Sequence, residues 1–335
     1  MKKVLVLGAT GAMGRYLVPE LVKLGYSVTG MALDETSPFG AEVTYLQGNA
    51  FDFATLENLL KEGFDGIVNF MSYPPAKRRF EDFYKLFLEN TKHYIFLSSC
   101  RVYDDKEIPV KETSPRLLDS SEDKVLLASD DYCIHKAKAE NLLMESPYDN
   151  WTVVRPATTF STMRLQLVTL EFKNSVARAL MGKKVVLPIQ AKDKPATLSW
   201  GGDVAKMIAR VLFKEEAKRE FYNVCSAESR TWEEIAEYYR ELIGLETVWV
   251  DKEDYIAILS PEGKLNTRWQ LEYARLFRRI TDNSKVLALT GLKQEEMLSM
   301  YDGLKLEIAN IPPNYVPEDT EIGLRMDEYL KKHNL

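Results

Sequence analysis

The chain of 335 residues is poor in the side chains that hold metal ions and disulfide frameworks. It has three cysteines and three histidines, which are scattered along the sequence without a CxxC spacing. Ligands this few and this dispersed argue against a zinc site and against a disulfide-stabilised secreted fold. We therefore expect no metal ion and a reducing, cytoplasmic location.

Long apolar runs and an excess of positive charge are also missing. No apolar run approaches the roughly 20 residues of a membrane span, and the sequence starts in a strand pattern without a signal-peptide pattern. The formal net charge is −6, which creates no field that attracts nucleic acid or an anionic membrane. We expect neither as a partner, and we expect a small-molecule substrate.

A glycine-rich turn opens the chain. Lys3 to Leu7 form a short valine- and leucine-rich run that predicts a buried strand, and a helical apolar pattern follows Gly14. Glycines between a strand and a helix permit a sharp bend and let a pyrophosphate approach the backbone. An ordinary tight turn is the alternative interpretation. We predict that a dinucleotide binds to Gly8, Thr10, Gly11, Ala12, Met13 and Gly14.

Strand and helix patterns alternate through the first half of the chain. This alternation predicts an α/β fold with a Rossmann-type doubly wound parallel sheet, whose ligands bind at the carboxyl ends of the strands. We expect a dinucleotide-binding domain over residues 1–156, with core strands that can extend beyond it. We expect a smaller mixed α/β, substrate-binding and C-terminal helical region over 157–335, with one helix at 164–181.

Three further motifs point to a known family. Residues 98–103 read SSCRVY, Tyr132 and Lys136 have the YxxxK spacing, and Arg155-Pro156 ends a predicted strand. Together with the glycine turn, these motifs resemble the short-chain dehydrogenase/reductase superfamily, in particular its extended, epimerase/dehydratase-like branch. The resemblance covers nearly the whole chain, strongly over the first 156 residues and weakly after them.

The resemblance implies an NAD(P)-dependent oxidoreductase or epimerase that acts on a hydroxyl or keto group of a nucleotide sugar. It implies that Ser99, Tyr132 and Lys136 are catalytic. Residues four apart share a helix face, so the Lys136 ammonium can lower the pKa of the Tyr132 phenol. Tyr132 would then transfer a proton while Ser99 holds the substrate oxygen and a hydride moves to or from the nicotinamide.

The substrate contacts that the resemblance implies are Ser99, Cys100, Arg101 and Arg155. Arg101 offers a guanidinium fork to a carboxylate or phosphate, and a surface salt bridge is the alternative. The acidic pair that sugar 4,6-dehydratases carry before the Val-Tyr of this motif is absent, which disfavours that elimination. A basic cluster at 77–79 is either a diphosphate contact or a solvated helix start.

The choice of cofactor depends on the end of the second strand. Ala32 stands where dinucleotide folds carry an acidic residue for the ribose, and Asp34 follows two residues later. This arrangement favours NAD over NADP if Asp34 reaches the ribose. Arg15, directly after the glycine turn, favours NADP instead. The other cofactor contacts implied by the resemblance are Asn49, Ala50, Phe70, Met71, Ser72, Tyr132 and Lys136.

A non-catalytic function is the competing hypothesis. Ala32 and a short helix after the fourth strand are compatible with a dinucleotide-bound sensor or an RNA-associated, atypical family member. The complete set of Ser99, Tyr132 and Lys136 and the negative charge argue against it. The resemblance also implies a homodimer through helices at 80–90 and 132–144, although the first of these is short for such an interface.

Overall fold

A computed structural model describes residues 1–76 and 79–335. The basic positions Lys77 and Arg78 lie outside the described residues. The strands are β1 (Lys3–Leu7), β2 (Ser27–Ala32), β3 (Val43–Gln47), β4 (Gly66–Asn69), β5 (His93–Leu97), β6 (Trp151–Pro156), β7 (Thr158–Phe160), β8 (Val185–Pro188), β9 (Pro195–Trp200), β10 (Glu220–Val224), β11 (Ser229–Thr231) and β12 (Thr247–Val250). The α-helices are α1 (Gly14–Lys23), α2 (Phe53–Leu60), α3 (Tyr84–Glu89), α4 (Leu117–Ser120), α5 (Lys124–Ala128), α6 (Tyr132–Glu145), α7 (Val176–Leu180), α8 (Gly201–Val211), α9 (Trp232–Ile243), α10 (Lys252–Leu259), α11 (Leu265–Gln270), α12 (Ser284–Thr290), α13 (Met300–Ala309) and α14 (Glu321–His333).

The described residues divide into two compact units. The first comprises Met1–Thr159, Ser199–Ala227 and Thr281–Met297, and the second comprises Phe160–Leu198, Glu228–Ile280 and Leu298–Leu335. The division at residue 156 into a cofactor-binding and a substrate-binding part stays a prediction.

The first unit is built on a parallel sheet in the strand order β10-β6-β5-β4-β1-β2-β3. Each pair of neighbouring strands in this sheet runs parallel. The chain starts in the middle of the sheet, adds β2 and β3 on one side, and then crosses to add β4, β5, β6 and β10 on the other. Such a reversal opens a crevice at the carboxyl ends of the central strands, where ligands bind. The predicted Rossmann-type α/β fold is confirmed.

Both faces of this sheet are covered. Successive side chains of a strand point to opposite faces, and Val4 and Val6 belong to a buried cluster that also contains Leu17 of α1. Leu5 and Leu7 belong to a second buried cluster, on the opposite face. A strand that is buried on both sides explains the uninterrupted apolar run with which the sequence begins.

The second unit contains two short strand pairs. β9 pairs antiparallel with β11 through residues 195–197, and β8 pairs parallel with β12. The prediction of a helix over 164–181 is wrong, since only Val176–Leu180 is α-helical there. Val168 has a left-handed backbone, with φ of 54°, which a β-branched residue adopts only under tertiary constraint and which a right-handed helix excludes.

A buried carboxylate attaches α6 to the sheet. Glu140 is 0% exposed and accepts hydrogen bonds from Ser98 Oγ at 2.5 Å, Arg155 Nε at 2.8 Å and Arg116 Nη1 at 3.0 Å. A second bond joins Arg155 Nη2 to the other carboxylate oxygen at 2.7 Å. Ser98 directly follows β5, and Arg155 lies in β6. The group therefore fixes α6 over the carboxyl ends of both strands.

Replacing this carboxylate by an amide should destabilise the fold strongly. We expect Glu140→Gln to lower the free energy of unfolding by about 3–5 kcal/mol, because the buried guanidinium of Arg155 loses its counter-charge, whereas Arg116 keeps its pair with Asp119. Urea denaturation measures the effect, and the exposed Glu145→Gln on the same helix is the matched control, with a change within about 0.5 kcal/mol. Equal stability of the two variants would contradict the role given to Glu140.

Candidate functional site

The turn after β1 needs glycine at two positions for different reasons. Gly8 has a φ of +81°, a left-handed conformation that glycine adopts without strain. Its N–H donates to the carbonyl of Met31 in β2 at 2.9 Å, so the turn is held against the second strand. A Cβ atom on Gly14 would lie 2.3 Å from the Gly8 carbonyl oxygen, so the first turn of α1 can pack here only without a side chain.

The start of α1 offers the positive end of the helix dipole to an anion. The helix begins at Gly14 with Met13 as its N-cap residue, and no side chain caps it. The N–H groups of Arg15 and Tyr16 donate to the carbonyls of Gly11 and Met13, each at 3.1 Å. Gly11 is exposed at this end, while Thr10 and Ala12 are half-buried beside it. This geometry fits a pyrophosphate, and the assignment of these residues stays a prediction.

Asp34 lies against the glycine turn although it is two residues beyond the end of β2. The hydroxyl of Thr10 donates to Asp34 Oδ2 at 2.5 Å. The hydroxyl of Tyr45 donates to the main-chain carbonyl of Asp34 at 2.7 Å and holds the loop from the side of β3. Asp34 therefore lies next to the glycine turn, and its reach to the ribose of a cofactor stays a prediction.

The other predicted cofactor contacts follow β3 and β4 at the same edge of the sheet; these are Asn49, Ala50, Phe70, Met71 and Ser72. The side-chain oxygen of Asn49 accepts the N–H of Phe51 at 3.0 Å, so Asn49 shapes the turn after β3. Phe70 and Met71 lie close to Gly8, where an added Cβ would meet their side chains at 3.3 and 3.7 Å.

A buried asparagine that the sequence analysis did not identify shapes the segment after β4. Asn69 donates from Nδ2 to the hydroxyls of Tyr73 and Tyr94, each at 2.8 Å. Its Oδ1 accepts the N–H of Met71 at 2.9 Å. These bonds tie the segment after β4, which approaches Gly8, to the end of the strand. The sequence signal that could have identified Asn69 is a polar residue at the end of an apolar strand.

The three predicted catalytic residues lie at the ends of β5 and α6. Ser99 directly follows the end of β5 and is nearly buried, and its Oγ accepts the N–H of Arg101 at 3.2 Å. Tyr132 is the first residue of α6, and the Nζ atom of Lys136 lies 5.8 Å from the centroid of its ring. The guanidinium carbon of Arg101 lies 5.2 Å from the same centroid. Two basic side chains thus lie within 6 Å of the centroid of the Tyr132 ring.

Lys136 is enclosed by the sheet. The residue is 1% exposed, and its Nζ donates to the carbonyls of Leu97 at 2.7 Å and Met71 at 3.4 Å. These carbonyls lie at or just beyond the ends of the central strands β5 and β4, where the crevice of the fold is expected. Burial lowers the pKa of Lys136 to about 7, and the charge of Glu140 opposes this shift. The charge on Lys136 therefore varies with pH in the neutral range.

The four predicted substrate contacts differ in their surroundings. Arg101 pairs with Asp131, the N-cap residue of α6, at 3.2 Å, and its side chain is 15% exposed, so this ion pair is not a surface salt bridge. Arg155 donates to Glu140, to the Tyr103 hydroxyl at 2.8 Å and to the Glu112 carbonyl at 3.0 Å. These internal bonds give Arg155 a structural role, and its assignment as a substrate contact stays a prediction.

The remaining predicted positions are Cys100 and the basic cluster at 77–79. Cys100 is buried, as are Cys133 and Cys225, and all three are free thiols. Ser99 and Arg101 lie on either side of Cys100 and keep their predicted place at the end of β5. Arg79, the described member of the basic cluster, is paired with Glu81 at 3.3 Å and with Asp82 at 3.2 Å.

Within residues 1–76 and 79–335, no group of three or more histidine, cysteine, aspartate or glutamate side chains could hold a metal ion. None of the helices in those ranges is both long enough and apolar enough to span a bilayer.

Residues 8–215 match the family model described as NAD(P)H-binding, which is more than half of the chain. The chain belongs to the NAD(P)H-binding family. The match begins at Gly8, in the turn after β1, and extends past α8. It confirms the predicted class of cofactor, while the choice between NAD and NADP stays open.

Solved structures with the same fold include epimerases. Epimerase Mth375 from Methanothermobacter thermautotrophicus superposes with a TM-score of 0.70 at 17% identity, covering 92% of each chain. The UDP-glucose 4-epimerase of Thermus thermophilus, solved with NAD, has a TM-score of 0.67 at 18% identity and covers 93% of this chain and 100% of its own. At these identities the likeness shows the fold, and the family match shows the NAD(P)H-binding class.

A curated relative carries a different description. The chain is 26% identical over 253 residues to the chloroplast stem-loop binding protein of 41 kDa b from Arabidopsis thaliana. The alignment covers 70% of this chain and 61% of the relative, so it spans less than two thirds of that protein.

The lowered pKa of Lys136 predicts how stability depends on pH. The folded protein loses the Lys136 proton near pH 7, whereas the unfolded chain keeps it up to the ordinary value of 10.5. Between these values the unfolded chain binds more protons, so the free energy of unfolding should rise with pH by up to about 1.4 kcal/mol per unit.

Lys136→Met removes the titrating group and should remove this slope. The difference in unfolding free energy between wild type and the variant, measured by urea denaturation at several pH values without cofactor, isolates the effect. The exposed Lys138→Met on the same helix should keep the wild-type slope. A difference between wild type and Lys136→Met that stays constant from pH 7 to 10 would contradict the buried state of Lys136.

Proposed function

We propose that the chain is an NAD-dependent enzyme of the short-chain dehydrogenase/reductase type that oxidises or reduces a hydroxyl or keto carbon of a nucleotide sugar, as epimerases do. The observation that carries the proposal is the proximity of Lys136 and Arg101 to the ring of Tyr132. Both basic groups lie within 6 Å of its ring centroid, by the distances of 5.8 and 5.2 Å. Nearby positive charge favours the phenolate, which is the form that accepts a proton.

Each residue has one role in the proposed reaction. Tyr132 takes the proton from the substrate hydroxyl, or returns it to the keto oxygen, and Ser99 holds that same oxygen. Lys136 and Arg101 stabilise the phenolate. The nicotinamide, when bound, supplies or accepts the hydride. The N–H groups at the start of α1 would hold the pyrophosphate of the cofactor.

The proposed cofactor is NAD rather than NADP. The carboxylate of Asp34 lies at the glycine turn, where it would accept hydrogen bonds from the ribose hydroxyls. A 2′-phosphate in that place would meet a like charge at close range. Arg15 could balance such a phosphate, so the preference for NAD depends on Asp34 being the nearer group.

The proposed reaction is a keto/hydroxyl exchange rather than a dehydration. Elimination of water from a sugar needs an acid and a base beside the tyrosine. Ser99, Cys100 and Arg101 carry no carboxylate that could serve as either group. Asp131, the nearest acid to Tyr132 along the chain, is bound to Arg101 and caps α6. Epimerisation, in which the cofactor is recycled, and a net reduction or oxidation both remain within the proposal.

Removing the Tyr132 hydroxyl tests the proposal directly. Tyr132→Phe keeps the ring and should lower turnover by roughly 10²–10⁴-fold, the usual contribution of a general acid–base group. It should leave the affinity for NADH, measured by fluorescence titration, near that of wild type. The substrates to screen are UDP-glucose, UDP-glucuronic acid and UDP-N-acetylglucosamine with NAD. Near-wild-type turnover by the variant would place the chemistry on another residue.

The cofactor site has its own test at Gly11. This residue is exposed, and an added Cβ would lie 3.2 Å from the Gly8 carbonyl oxygen, which is a tight contact, so the melting temperature of Gly11→Val is measured first to show that the variant folds. Its side chain would block the approach of a pyrophosphate, and we expect the NADH affinity to fall at least tenfold, or about 1.4 kcal/mol. Ala54→Val, at an exposed position of α2, is the control. An unchanged NADH affinity of Gly11→Val would contradict the assignment of the glycine turn as the cofactor site.

The curated relative supports a second candidate function, the binding of RNA stem-loops. Its name describes stem-loop binding, and it aligns with 70% of this chain. The net charge of −6 argues against it. Titration of a stem-loop RNA at increasing salt distinguishes the candidates, since phosphate contacts make affinity fall steeply with salt. Salt-sensitive RNA binding without sugar turnover would favour this second function.

A further inference from the structure

An ion pair at the start of α6 lies against the ring of Tyr132. Asp131, the residue before Tyr132, caps this helix and accepts the N–H of Cys133 at 3.1 Å. The same carboxylate oxygen, Oδ1, lies 3.2 Å from Arg101 Nη2. The side chain of Asp131 is 4% exposed and that of Arg101 is 15% exposed, so the pair is largely withdrawn from solvent. The helix start fixes the carboxylate, and the carboxylate in turn fixes the guanidinium.

The guanidinium is close to the phenol oxygen whichever way the ring points. The guanidinium carbon of Arg101 lies 5.2 Å from the centroid of the Tyr132 ring. The phenol oxygen is about 3 Å from that centroid, so the two groups are within about 8 Å of each other, where unit charges interact measurably in a partly buried site. Salt screens such a pair less than it screens exposed charges. The charge of Arg101 therefore acts on the ionisation of the phenol.

Three other titratable side chains of α6 lie near Tyr132, and none of the three is a permanent cation. Burial lowers the pKa of Lys136 to about 7, so its ammonium loses the proton as the pH rises through the neutral range. Burial also lowers the pKa of His135, whose ring lies 5.4 Å from that of Tyr132, and favours its neutral form. Burial raises the pKa of Cys133 to about 12. Arg101 keeps its proton at every physiological pH.

We propose that Arg101 and Asp131 are positioning residues that hold a permanent positive charge beside Tyr132, so that the phenol stays a proton acceptor at pH values where Lys136 is uncharged. Asp131 holds the guanidinium in place, and the guanidinium favours the phenolate. The tyrosine then does not depend on its lysine partner alone. The inference rests on the proposed function for the role of Tyr132 as the proton-transfer residue.

The ionisation of Tyr132 is measurable in the cofactor-free protein, without any substrate. Tyrosine that is isotope-labelled at Cζ gives NMR signals whose chemical shifts follow the loss of the phenol proton. The signal that is missing from Tyr132→Phe identifies Tyr132. A pH titration of this signal gives the pKa of the phenol, and a change of purely structural origin at Arg101 would not move that pKa in proportion to the charge removed.

A double variant separates the two charges of the pair. Arg101→Gln alone leaves the Asp131 carboxylate unbalanced, which would itself raise the pKa of the phenol. Asp131→Asn is therefore the reference, since its amide oxygen can still cap α6. Adding Arg101→Gln to this reference should raise the pKa of Tyr132 by about one unit, because the favourable charge is lost. Adding Arg101→Lys instead, which keeps the charge, should leave the pKa within about half a unit of the reference.

The matched control is Lys138→Gln in the same Asp131→Asn reference. It removes one positive charge from an exposed position of α6, where solvent and salt screen it. We expect no measurable shift in the pKa of Tyr132. If the wild-type protein turns over a UDP-sugar, the acidic limb of its kcat/KM profile should move to higher pH with Arg101→Gln by the same amount as the phenol.

An unchanged pKa of Tyr132 on adding Arg101→Gln would overturn the proposal. So would an acidic limb that stays in place although the phenol has shifted. Should the double variant not fold, Arg101→Gln is compared with wild type, where the expected rise in pKa is larger and equal values would contradict us. Failure of the proposed function is a separate result: no UDP-sugar is turned over by wild type, while the NMR titration still decides whether Arg101 acts on Tyr132.

Discussion

The carboxylate of Glu140 is the interaction on which the arrangement of this site depends. It is fully buried and receives hydrogen bonds from Ser98, Arg116 and Arg155. An isolated carboxylate in such a place would be very unfavourable, and the two guanidinium groups and the hydroxyl offset that cost. Because Ser98 follows β5 and Arg155 lies in β6, the same group holds α6 at the carboxyl ends of these strands.

The position of α6 in turn determines the electrostatics of Tyr132. Lys136 is pressed against main-chain carbonyls rather than solvent, and burial brings its pKa to about 7, so it is not a permanent cation. Arg101 keeps its charge at every physiological pH and lies 5.2 Å from the centroid of the phenol ring. The loop after β5 therefore supplies a constant positive charge beside Tyr132 through Arg101. Helix α6 supplies, through Lys136, a positive charge that varies with pH.

The glycine turn imposes a separate constraint on the same edge of the sheet. Gly8 needs a left-handed backbone, and Gly14 needs the absence of a Cβ atom because the Gly8 carbonyl would lie 2.3 Å from it. Together they bring the start of α1 close to β1, and no side chain caps this helix. The hydrogen bond from Thr10 to Asp34 then places a carboxylate at this turn. The residues proposed for pyrophosphate binding and for ribose selection thus share one local geometry.

Sequence by itself determined the elements that local patterns encode: the buried strand at Lys3–Leu7, the glycine turn, and the four-residue spacing of Tyr132 and Lys136. Tertiary structure decided the rest. Arg155 has the sequence appearance of a substrate contact, but its partners Glu140 and Tyr103 are 15 and 52 residues away. The helix expected over 164–181 fails because Val168 is held in a left-handed conformation. The Nε2 atom of His135 is buried without a hydrogen bond in the described residues, and local spacing does not show which partners a buried nitrogen finds. Local spacing sets which residues share an element, whereas long-range packing sets which polar atoms find partners.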